Sequence, residues 1–315
     1  MDQQSKMSTF LIVAPNRNTS QWKEGLAKCL PDHKVEIWPE VSDPGSVTGA
    51  ACWNHPHGSL NEYENLKLIS SMGAGVDHIL SDPELPEGVP VTRIVDKALT
   101  YTMTRYLLGA VLSWHRRFDI YHREQVTHTW NQKAEPQRSL HIGIMGMGIL
   151  GRDIASNLVN LGFDVKGYSR SPKELQGIKS FSGEDQLQDF LQDINLLINL
   201  LPLTSETENI LDRTFFDRIP RPVCLVNAAR GGHLVEQDLI DALDAGKVEY
   251  AFLDVFRKEP LPEDHPFWDR EDIFITPHIA SITNPDAAIP QIAENWLRAQ
   301  EGEPLKNKID RDREY

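Results

Sequence analysis

Short apolar runs alternate with longer segments of mixed polarity along almost the whole sequence of 315 residues. Runs that are rich in β-branched and aromatic residues predict strands, and the segments between them are long enough to form helices. In the first third of the chain this pattern predicts five strands, at residues 10–14, 35–38, 50–53, 68–71 and 91–94. Strands that alternate with helices indicate parallel sheets covered by helices.

A different pattern occupies residues 99–121, where apolar side chains recur at steps of three and four residues and predict one long amphipathic helix. Beyond it the alternation resumes, with six predicted strands at residues 140–145, 163–168, 196–200, 223–227, 250–255 and 273–276. Six strands with crossover helices are typical of a dinucleotide-binding sheet. The predicted fold class is therefore α/β, with two doubly wound parallel-sheet domains: a flavodoxin-like first domain and a Rossmann dinucleotide-binding domain.

The long helix marks the predicted domain border, because one long helix can bridge two hydrophobic cores. We assign residues 1–98 to the first domain and residues 99–289 to the dinucleotide-binding domain. A last helical segment, at residues 286–300, is expected to return to the first domain. Residues 290–315 are therefore assigned to the first domain as well.

The charge balance limits the partners that the chain can bind. Lys and Arg number 32 against 46 Asp and Glu, which gives a formal net charge of -14. Such an acidic chain is poorly suited to the phosphate backbone, so we expect no nucleic-acid partner. Any anionic ligand must be bound by a local group of donors that acts against the overall field.

The cysteines and the apolar segments indicate where the protein works. Cys29, Cys52 and Cys224 are isolated and lack metal-ligand spacing, so we expect neither disulfides nor structural zinc, and a cytoplasmic location. No apolar run approaches the roughly 20 residues that span a bilayer, so no membrane association is expected. The histidines between the two predicted sheets are also not at metal-ligand spacing, and no metal site is predicted.

A glycine motif follows the first strand of the second half. Gly146, Gly148 and Gly151 form the pattern G-x-G-x-x-G, and Ile149 and Leu150 continue into a predicted helix. In this strand-to-helix context the first glycine permits a tight turn, the second lets backbone amides approach a pyrophosphate, and the third lets helix and strand pack closely. A glycine-rich turn that binds no ligand is the alternative interpretation.

The end of the next predicted strand indicates which dinucleotide is bound. An NAD site commonly has Asp or Glu there, whereas this sequence has Ser169, Arg170 and Ser171. A guanidinium can pair with a 2′-phosphate that an acidic residue would repel. We therefore predict NADPH as the cofactor, with NADH less favoured. The alternative is that Arg170 is a solvated surface residue.

Three chemically suited side chains follow the ends of the last three predicted strands. Arg230, Glu259 and His278 should meet on the cofactor side, because ligands of open α/β sheets lie beyond the carboxyl ends of the strands. Arginine can bind the carboxylate of a substrate, and histidine can donate a proton to it. The carboxylate of a glutamate can stabilise the charged imidazole. The trio suits reduction of a 2-keto acid. Each residue alone could equally be structural or on the surface.

Five segments resemble, in order and spacing, the D-isomer-specific 2-hydroxyacid dehydrogenases. They are GxGxxG, LLPLTSET at 200–207, NAARGG, LDVFRKEPLP and TPHIAS. The resemblance implies that Arg230, Glu259 and His278 are catalytic, with His278 as the proton donor. It also implies that the first domain, residues 1–98 with 290–315, is the substrate domain. The residues implied to bind the substrate are Trp53, Ala74, Gly75 and Arg230. Further cofactor-binding residues implied by the resemblance are Leu201, Pro202, Thr207, Ala228 and Asp254.

Further segments resemble one branch of that family: CWNHP at 52–56, SMGAGVDHI at 71–79, WHRRFDIY at 114–121, YSRSPK and the terminal IDRDREY. This branch is bacterial and prefers NADPH, and the resemblance implies reduction of glyoxylate and hydroxypyruvate to glycolate and D-glycerate. The resemblance also implies a homodimer, whose contacts would include the long helix and the segment around Trp130. Two other functions stay open on the sequence alone. One is reduction of a bulkier 2-keto acid, which a large indole at Trp53 disfavours. The other is a dinucleotide-sensing scaffold without turnover, which the complete trio disfavours.

Overall fold

The computed structural model describes residues 7–132 and 137–315. The chain forms two compact units, of which unit 1 comprises Met1–Leu99 with Thr283–Tyr315 and unit 2 comprises Thr100–Ile282. The strands are β1 Thr9–Val13, β2 Lys34–Ile37, β3 Val47–Cys52, β4 Leu68–Ser71, β5 Val91–Thr92, β6 His141–Met145, β7 Asp164–Ser169, β8 Lys179–Ser182, β9 Leu196–Asn199, β10 Val223–Asn227, β11 Val248–Leu253 and β12 Ile273–Ile275. The helices are α1 Ser20–Cys29, α2 Asp77–Leu80, α3 Lys97–His115, α4 Phe118–Val126, α5 Ile149–Asn160, α6 Leu187–Leu191, α7 Arg213–Arg218, α8 Glu236–Asp244 and α9 Pro285–Glu301.

Both units contain one parallel sheet, as the strand and helix pattern predicted. The sheet of unit 1 has the order β2-β1-β3-β4-β5, the flavodoxin-like order. In unit 2 the order is β12-β11-β10-β9-β6-β7-β8, which is the Rossmann order with one additional strand at the edge. The predicted fold class is confirmed.

The strand of unit 2 that the sequence did not predict is β8, since six strands were predicted and the structure has seven. The four residues of β8 include only one buried side chain, Phe181. An edge strand that buries so little carries no apolar run, so the pattern of polarity did not reveal it.

The prediction of a single helix over residues 99–121 is wrong, because the structure has two helices there, α3 and α4. Arg117 adopts a left-handed conformation with φ 60° at the break. Arg138, from a later segment, binds the end of α3: its backbone amide donates to the His115 carbonyl at 2.8 Å, and its guanidinium donates to the Trp114 carbonyl at 2.7 Å. These bonds satisfy carbonyls that a continuing helix would otherwise use.

Each sheet packs apolar side chains on both of its faces. In β10, Leu225 belongs to the core cluster on one face and its neighbour Val226 to the cluster on the other. In unit 1, α9 brings Trp296 against Phe10 of β1, with ring centroids 5.2 Å apart. Within residues 7–132 and 137–315, every helix is too short or too polar to cross a membrane.

Candidate active site

The turn between β6 and α5 has the shape that the glycine motif predicted. Gly146 has φ 101°, and a Cβ atom there would lie 2.4 Å from the Leu200 carbonyl oxygen. A Cβ on Gly151 would lie 2.0 Å from the Gly146 carbonyl oxygen, so both positions require glycine. Gly148 caps α5, and no atom would lie within 4 Å of a Cβ there. Open space before a helix N-terminus fits a dinucleotide pyrophosphate.

Helix α5 begins with Ile149 and Leu150, and the last glycine of the motif, Gly151, lies in its first turn. Ile149 is an apolar residue left 53% exposed at this turn. An exposed apolar side chain beside the open space over Gly148 is suited to contact with a bound dinucleotide.

The polar residues at the end of β7 are partly engaged with protein groups. The Ser169 hydroxyl is buried and donates to the Ser171 carbonyl at 2.8 Å. The Arg170 guanidinium donates to the Glu206 carboxylate at 2.6 Å, and both side chains are exposed. The motif that contains Glu206 was recognised in the sequence, but this pairing across 36 residues was not. A phosphate at Arg170 would therefore have to compete with the Glu206 carboxylate.

The Thr207 side chain stabilises the loop after β9. The family resemblance implied that this residue binds the cofactor. The Thr207 hydroxyl donates to the Pro202 carbonyl at 2.6 Å and accepts from the Thr204 amide at 2.9 Å. Leu201 is half-buried at the start of this loop, whereas Pro202 is exposed. The loop conformation is thus fixed before any ligand binds.

Sequence reasoning missed a buried amide pair beneath this loop. Asn199 and Asn227 end β9 and β10 and are completely buried, and the Asn199 side chain donates to the Asn227 side chain at 3.1 Å. Asn199 also accepts from the Leu201 amide at 3.2 Å, while Asn227 donates to the Arg230 carbonyl at 3.1 Å. The signal that could have found the pair is a polar residue closing each of two apolar strands.

The structure brings the predicted trio together within unit 2. The His278 imidazole and the Glu259 carboxylate are 2.7 Å apart, from Nδ1 to Oε2. The second Glu259 oxygen accepts from the Phe256 amide at 3.0 Å. The Arg230 guanidinium donates to the Ala229 carbonyl at 2.7 Å, and its charge acts on Glu259.

The electrostatics of Glu259 favour a charged carboxylate. Burial would raise the pKa of Glu259, but hydrogen bonds from His278 and the Phe256 amide outweigh it, and the charges of His278 and Arg230 add to them. The pKa of Glu259 therefore lies below its usual range. An ionised carboxylate at Nδ1 requires a proton on that nitrogen, which directs the Nε2 atom of His278 toward any reacting group. Among the described residues, Nε2 has no hydrogen-bond partner.

Asp254 holds the turn that carries His278. It is 1% exposed, and its carboxylate accepts from the Thr276 hydroxyl at 2.7 Å and from the amides of Ile279 and Ala280 at 2.8 and 2.9 Å. The His278 amide donates to the Asp254 carbonyl at 2.8 Å, and His278 itself has φ 54°. The left-handed conformation is uncommon for a non-glycine residue, and the Asp254 bonds hold it in place. Ala228 is buried at the end of the adjacent β10.

In unit 1, the predicted substrate residues lie at the ends of β3 and β4. Ala74 and Gly75 are half-buried, and the Ser71 hydroxyl donates to the Gly75 carbonyl at 2.7 Å. Trp53 is also half-buried, and its ring lies 4.6 Å from the ring of His78, centroid to centroid. The loop and the indole are thus neighbours at one edge of this sheet. Throughout both units, the described residues contain no group of three or more His, Cys, Asp or Glu placed to hold a metal ion.

Comparison with known proteins extends what the geometry indicates. A family model described as the NAD binding domain of D-isomer specific 2-hydroxyacid dehydrogenases matches residues 108–280. Glyoxylate/hydroxypyruvate reductase A of Serratia proteamaculans strain 568 is 42% identical over 307 residues, covering 96% of this chain and 98% of that protein.

Two crystal structures share the whole fold. A D-isomer specific 2-hydroxyacid dehydrogenase from Xanthobacter autotrophicus Py2, in complex with NADPH and MES, is 36% identical with a TM-score of 0.91, covering 98% of this chain and 100% of that one. An NADPH-dependent glyoxylate/hydroxypyruvate reductase from Sinorhizobium meliloti, in complex with NADP and sulfate, is 31% identical with a TM-score of 0.90, and the coverage is again 98% and 100%.

Proposed function

This chain belongs to the D-isomer specific 2-hydroxyacid dehydrogenase family, as its motifs predicted, and on that premise we propose that it uses NADPH to reduce glyoxylate and hydroxypyruvate to glycolate and D-glycerate. The observation that carries the proposal is the 2.7 Å contact between His278 and Glu259 at the strand ends that follow the glycine turn. The NADP complexes of two similar structures support the choice of cofactor.

The proposed chemistry assigns one role to each member of the trio. When bound, the dihydronicotinamide supplies a hydride for C2 of the 2-oxo acid. Arg230 binds the substrate carboxylate through the N–H donors of its planar guanidinium and polarises the adjacent carbonyl. His278 donates the Nε2 proton to the carbonyl oxygen as it becomes an alkoxide, and Glu259 stabilises the imidazolium that must be present beforehand.

We propose further binding residues in each unit from the family resemblance. In unit 2 the turn of Gly146, Gly148 and Gly151 would hold the pyrophosphate. The other proposed cofactor contacts there are Ile149, Leu150, Ser169, Arg170, Ser171, Leu201, Pro202, Thr207, Ala228 and Asp254. In unit 1 the backbone amides of Ala74 and Gly75 would bind the substrate carboxylate, and Trp53 would limit substrate size.

A substrate panel tests the proposed function. We expect kcat/KM with NADPH to be highest for glyoxylate and hydroxypyruvate and at least about 10-fold lower for 4-methyl-2-oxopentanoate, because each misfitted apolar group costs roughly 1–3 kcal/mol. NADPH oxidation followed at 340 nm gives the rates. A higher kcat/KM for 4-methyl-2-oxopentanoate would contradict the proposal and would indicate that the enzyme reduces bulkier 2-oxo acids. The absence of turnover with any 2-oxo acid would overturn the proposal.

The Arg170–Glu206 pair predicts how cofactor choice can be shifted. Arg170→Ala should weaken NADPH binding about 10- to 100-fold and NADH binding far less, because only NADPH offers a phosphate for charge-assisted bonds of roughly 1.5–3 kcal/mol. Glu206→Gln should strengthen NADPH binding, because it removes the carboxylate that competes for Arg170. Dissociation constants from titration of the protein's intrinsic fluorescence check both. Equal losses for the two cofactors in Arg170→Ala would refute the assignment.

The cysteines support a cytoplasmic location for this reaction. Cys29, Cys52 and Cys224 are all free thiols in the structure. Burial raises the pKa of Cys52 and Cys224, so both remain protonated and unreactive. Free thiols suit the reducing compartment in which we propose that the enzyme works.

We also propose that the protein is a homodimer, and unit 2 offers a surface for it. A groove of about 730 Å³ lies along α3 and α4. Its apolar lining includes Tyr106, Ala110, Phe118, Val126, Phe252 and Phe274. Phe118 is 58% and Val126 71% exposed, and nearby in sequence Trp130 is 97% exposed. Apolar exposure of this extent is typical of a protein interface, and we assign a second copy of the chain to it.

Light scattering tests the dimer. At micromolar concentration the parent should have twice the 35.7 kDa mass of one chain. Phe118→Glu should shift the mass to that of the monomer, because a charge buried in an apolar interface is costly. Leu161→Glu, at a position that is 55% exposed and does not line the groove, is the matched control and should stay dimeric. A monomeric parent, or a dimeric Phe118→Glu, would contradict the assignment.

A further inference from the structure

Unit 1 holds an arginine at the same sheet edge as the proposed substrate loop. Arg17 follows β1, Trp53 directly follows β3, and Gly73 follows β4. These three strands are neighbours in the order β1-β3-β4 and run parallel, so the segments that follow them meet at one edge. The Arg17 guanidinium carbon lies 3.8 Å from the centroid of the Trp53 ring.

The indole that Arg17 covers is itself held in place. A Cβ on Gly73 would lie 2.7 Å from Cζ3 of Trp53, so the ring lies directly against the loop backbone. The His78 ring packs against it, and the nitrogens of His78 lie 3.3 Å from the Asn54 amide and 3.3 Å from the Ser71 hydroxyl. The arginine and the loop therefore contact the same immobilised ring.

The stacked arginine keeps its hydrogen-bonding edge available. Stacking on an aromatic ring uses the face of the guanidinium, whereas its N–H donors point outward in its plane. Within residues 7–132 and 137–315, neither a carboxylate nor a carbonyl accepts a hydrogen bond from the Arg17 side chain. Loss of hydration lowers the pKa of Arg17. A guanidinium in a protein nevertheless stays charged at neutral pH. In a chain of net charge -14, such a cation is a local site for an anion.

We propose that Arg17, stacked on Trp53, forms a second anion subsite that lets the enzyme accept 2-oxo acids with a carboxylate at the far end, the 2-oxodicarboxylates. The inference rests on the proposed function, since it takes the loop amides of Ala74 and Gly75 as the site of the first carboxylate. The reaction is unchanged: C2 gains the hydride of NADPH, which becomes NADP, and the C2 oxygen gains the proton of His278. The far carboxylate only binds.

Two substrates with the same heavy-atom connectivity isolate the charge. Oxaloacetate and 4-methyl-2-oxopentanoate each have four heavy atoms beyond the keto carbon, connected in the same way, and only the first carries a second carboxylate. We expect the parent to favour oxaloacetate at least about 10-fold in kcat/KM, and Arg17→Met to lower this ratio about 10- to 100-fold, because a charge-assisted bidentate contact is lost. Chromatography should identify malate as the product, since oxaloacetate can lose carbon dioxide and be reduced as pyruvate.

Two further variants complete the experiment. Arg17→Lys keeps the charge without the planar fork and should retain part of the preference. Lys28→Met removes the same charge from an exposed position at the end of α1 and should leave the ratio as in the parent. The subsite is overturned if the parent favours the uncharged isostere, if Arg17→Met keeps the parent's ratio, or if Lys28→Met lowers it equally. The substrate panel on the parent separates these results from failure of the proposed function, in which 4-methyl-2-oxopentanoate would be preferred to glyoxylate or no 2-oxo acid would be reduced.

Discussion

His278→Gln is expected to lower kcat for glyoxylate reduction about 10³-fold, within the range of roughly 10²–10⁴ that general acid catalysis contributes. Glutamine retains a hydrogen-bonding side chain but cannot deliver the proton that the C2 oxygen needs as the hydride arrives. Because His278 is not among the proposed cofactor contacts, the NADPH dissociation constant should change less than about threefold. Steady-state kinetics and a fluorescence titration measure the two quantities on the same preparation.

A second histidine in unit 2 provides the control for this substitution. His141 lies 3.0 Å from the Asp164 carboxylate, in the same kind of pair, at the opposite end of the parallel sheet from the strand ends that carry the trio. His141→Gln should therefore leave kcat close to that of the parent. Parent-like turnover by His278→Gln would show that the proton comes from another group.

Arg230→Met is expected to lower kcat/KM for glyoxylate about 10²- to 10³-fold, because truncating a charged partner costs roughly 2–5 kcal/mol. Much of the loss should appear as a higher KM, since the carboxylate is bound in the ground state as well as in the transition state. Arg230→Lys should recover little, because a lysine ammonium cannot replace the planar pair of donors. Initial rates over a wide range of glyoxylate concentration separate KM from kcat.

The matched control for Arg230 is an exposed arginine that pairs with carboxylates of α8. Arg213 pairs with Asp238 and Asp241, and its side chain is 64% exposed. Arg213→Met should therefore leave kcat/KM near the parent value, since surface ion pairs contribute little. An unchanged KM in Arg230→Met would mean that the substrate carboxylate is bound by other groups, such as the amides of unit 1.

Several parts of the site depend on supporting contacts rather than on the reacting groups. Asp254 binds three donors around the turn that carries His278, and the buried pair of Asn199 and Asn227 aligns two loops at the cofactor side. These side chains fix the geometry in advance, which lowers the cost of organising the reaction. Their replacement would thus change activity through the positions of other groups.

The sequence by itself determined the repeating α/β architecture and the glycine turn, and it predicted the chemistry that we propose for the trio. Strand and helix periods are local, so apolar runs predicted both parallel sheets. The requirement for glycine at the β6–α5 turn is local as well, because a Cβ at Gly151 would collide with the Gly146 carbonyl and Gly146 itself has φ 101°, a conformation that favours glycine. Parallel strands also align their carboxyl ends, so three strand-end residues could be expected to meet before their distances were known.

Only the tertiary structure decided which distant residues meet. The break between α3 and α4 depends on Arg138, which binds the carbonyls of Trp114 and His115 from a later segment. Glu206 reaches Arg170 across 36 residues, and Arg17 reaches Trp53 from another strand end. Such contacts depend on strand order and loop path, which local polarity does not encode. For this reason the sequence predicted which groups react, whereas the Glu206 carboxylate beside Arg170 and the arginine stacked on Trp53 became visible only in three dimensions.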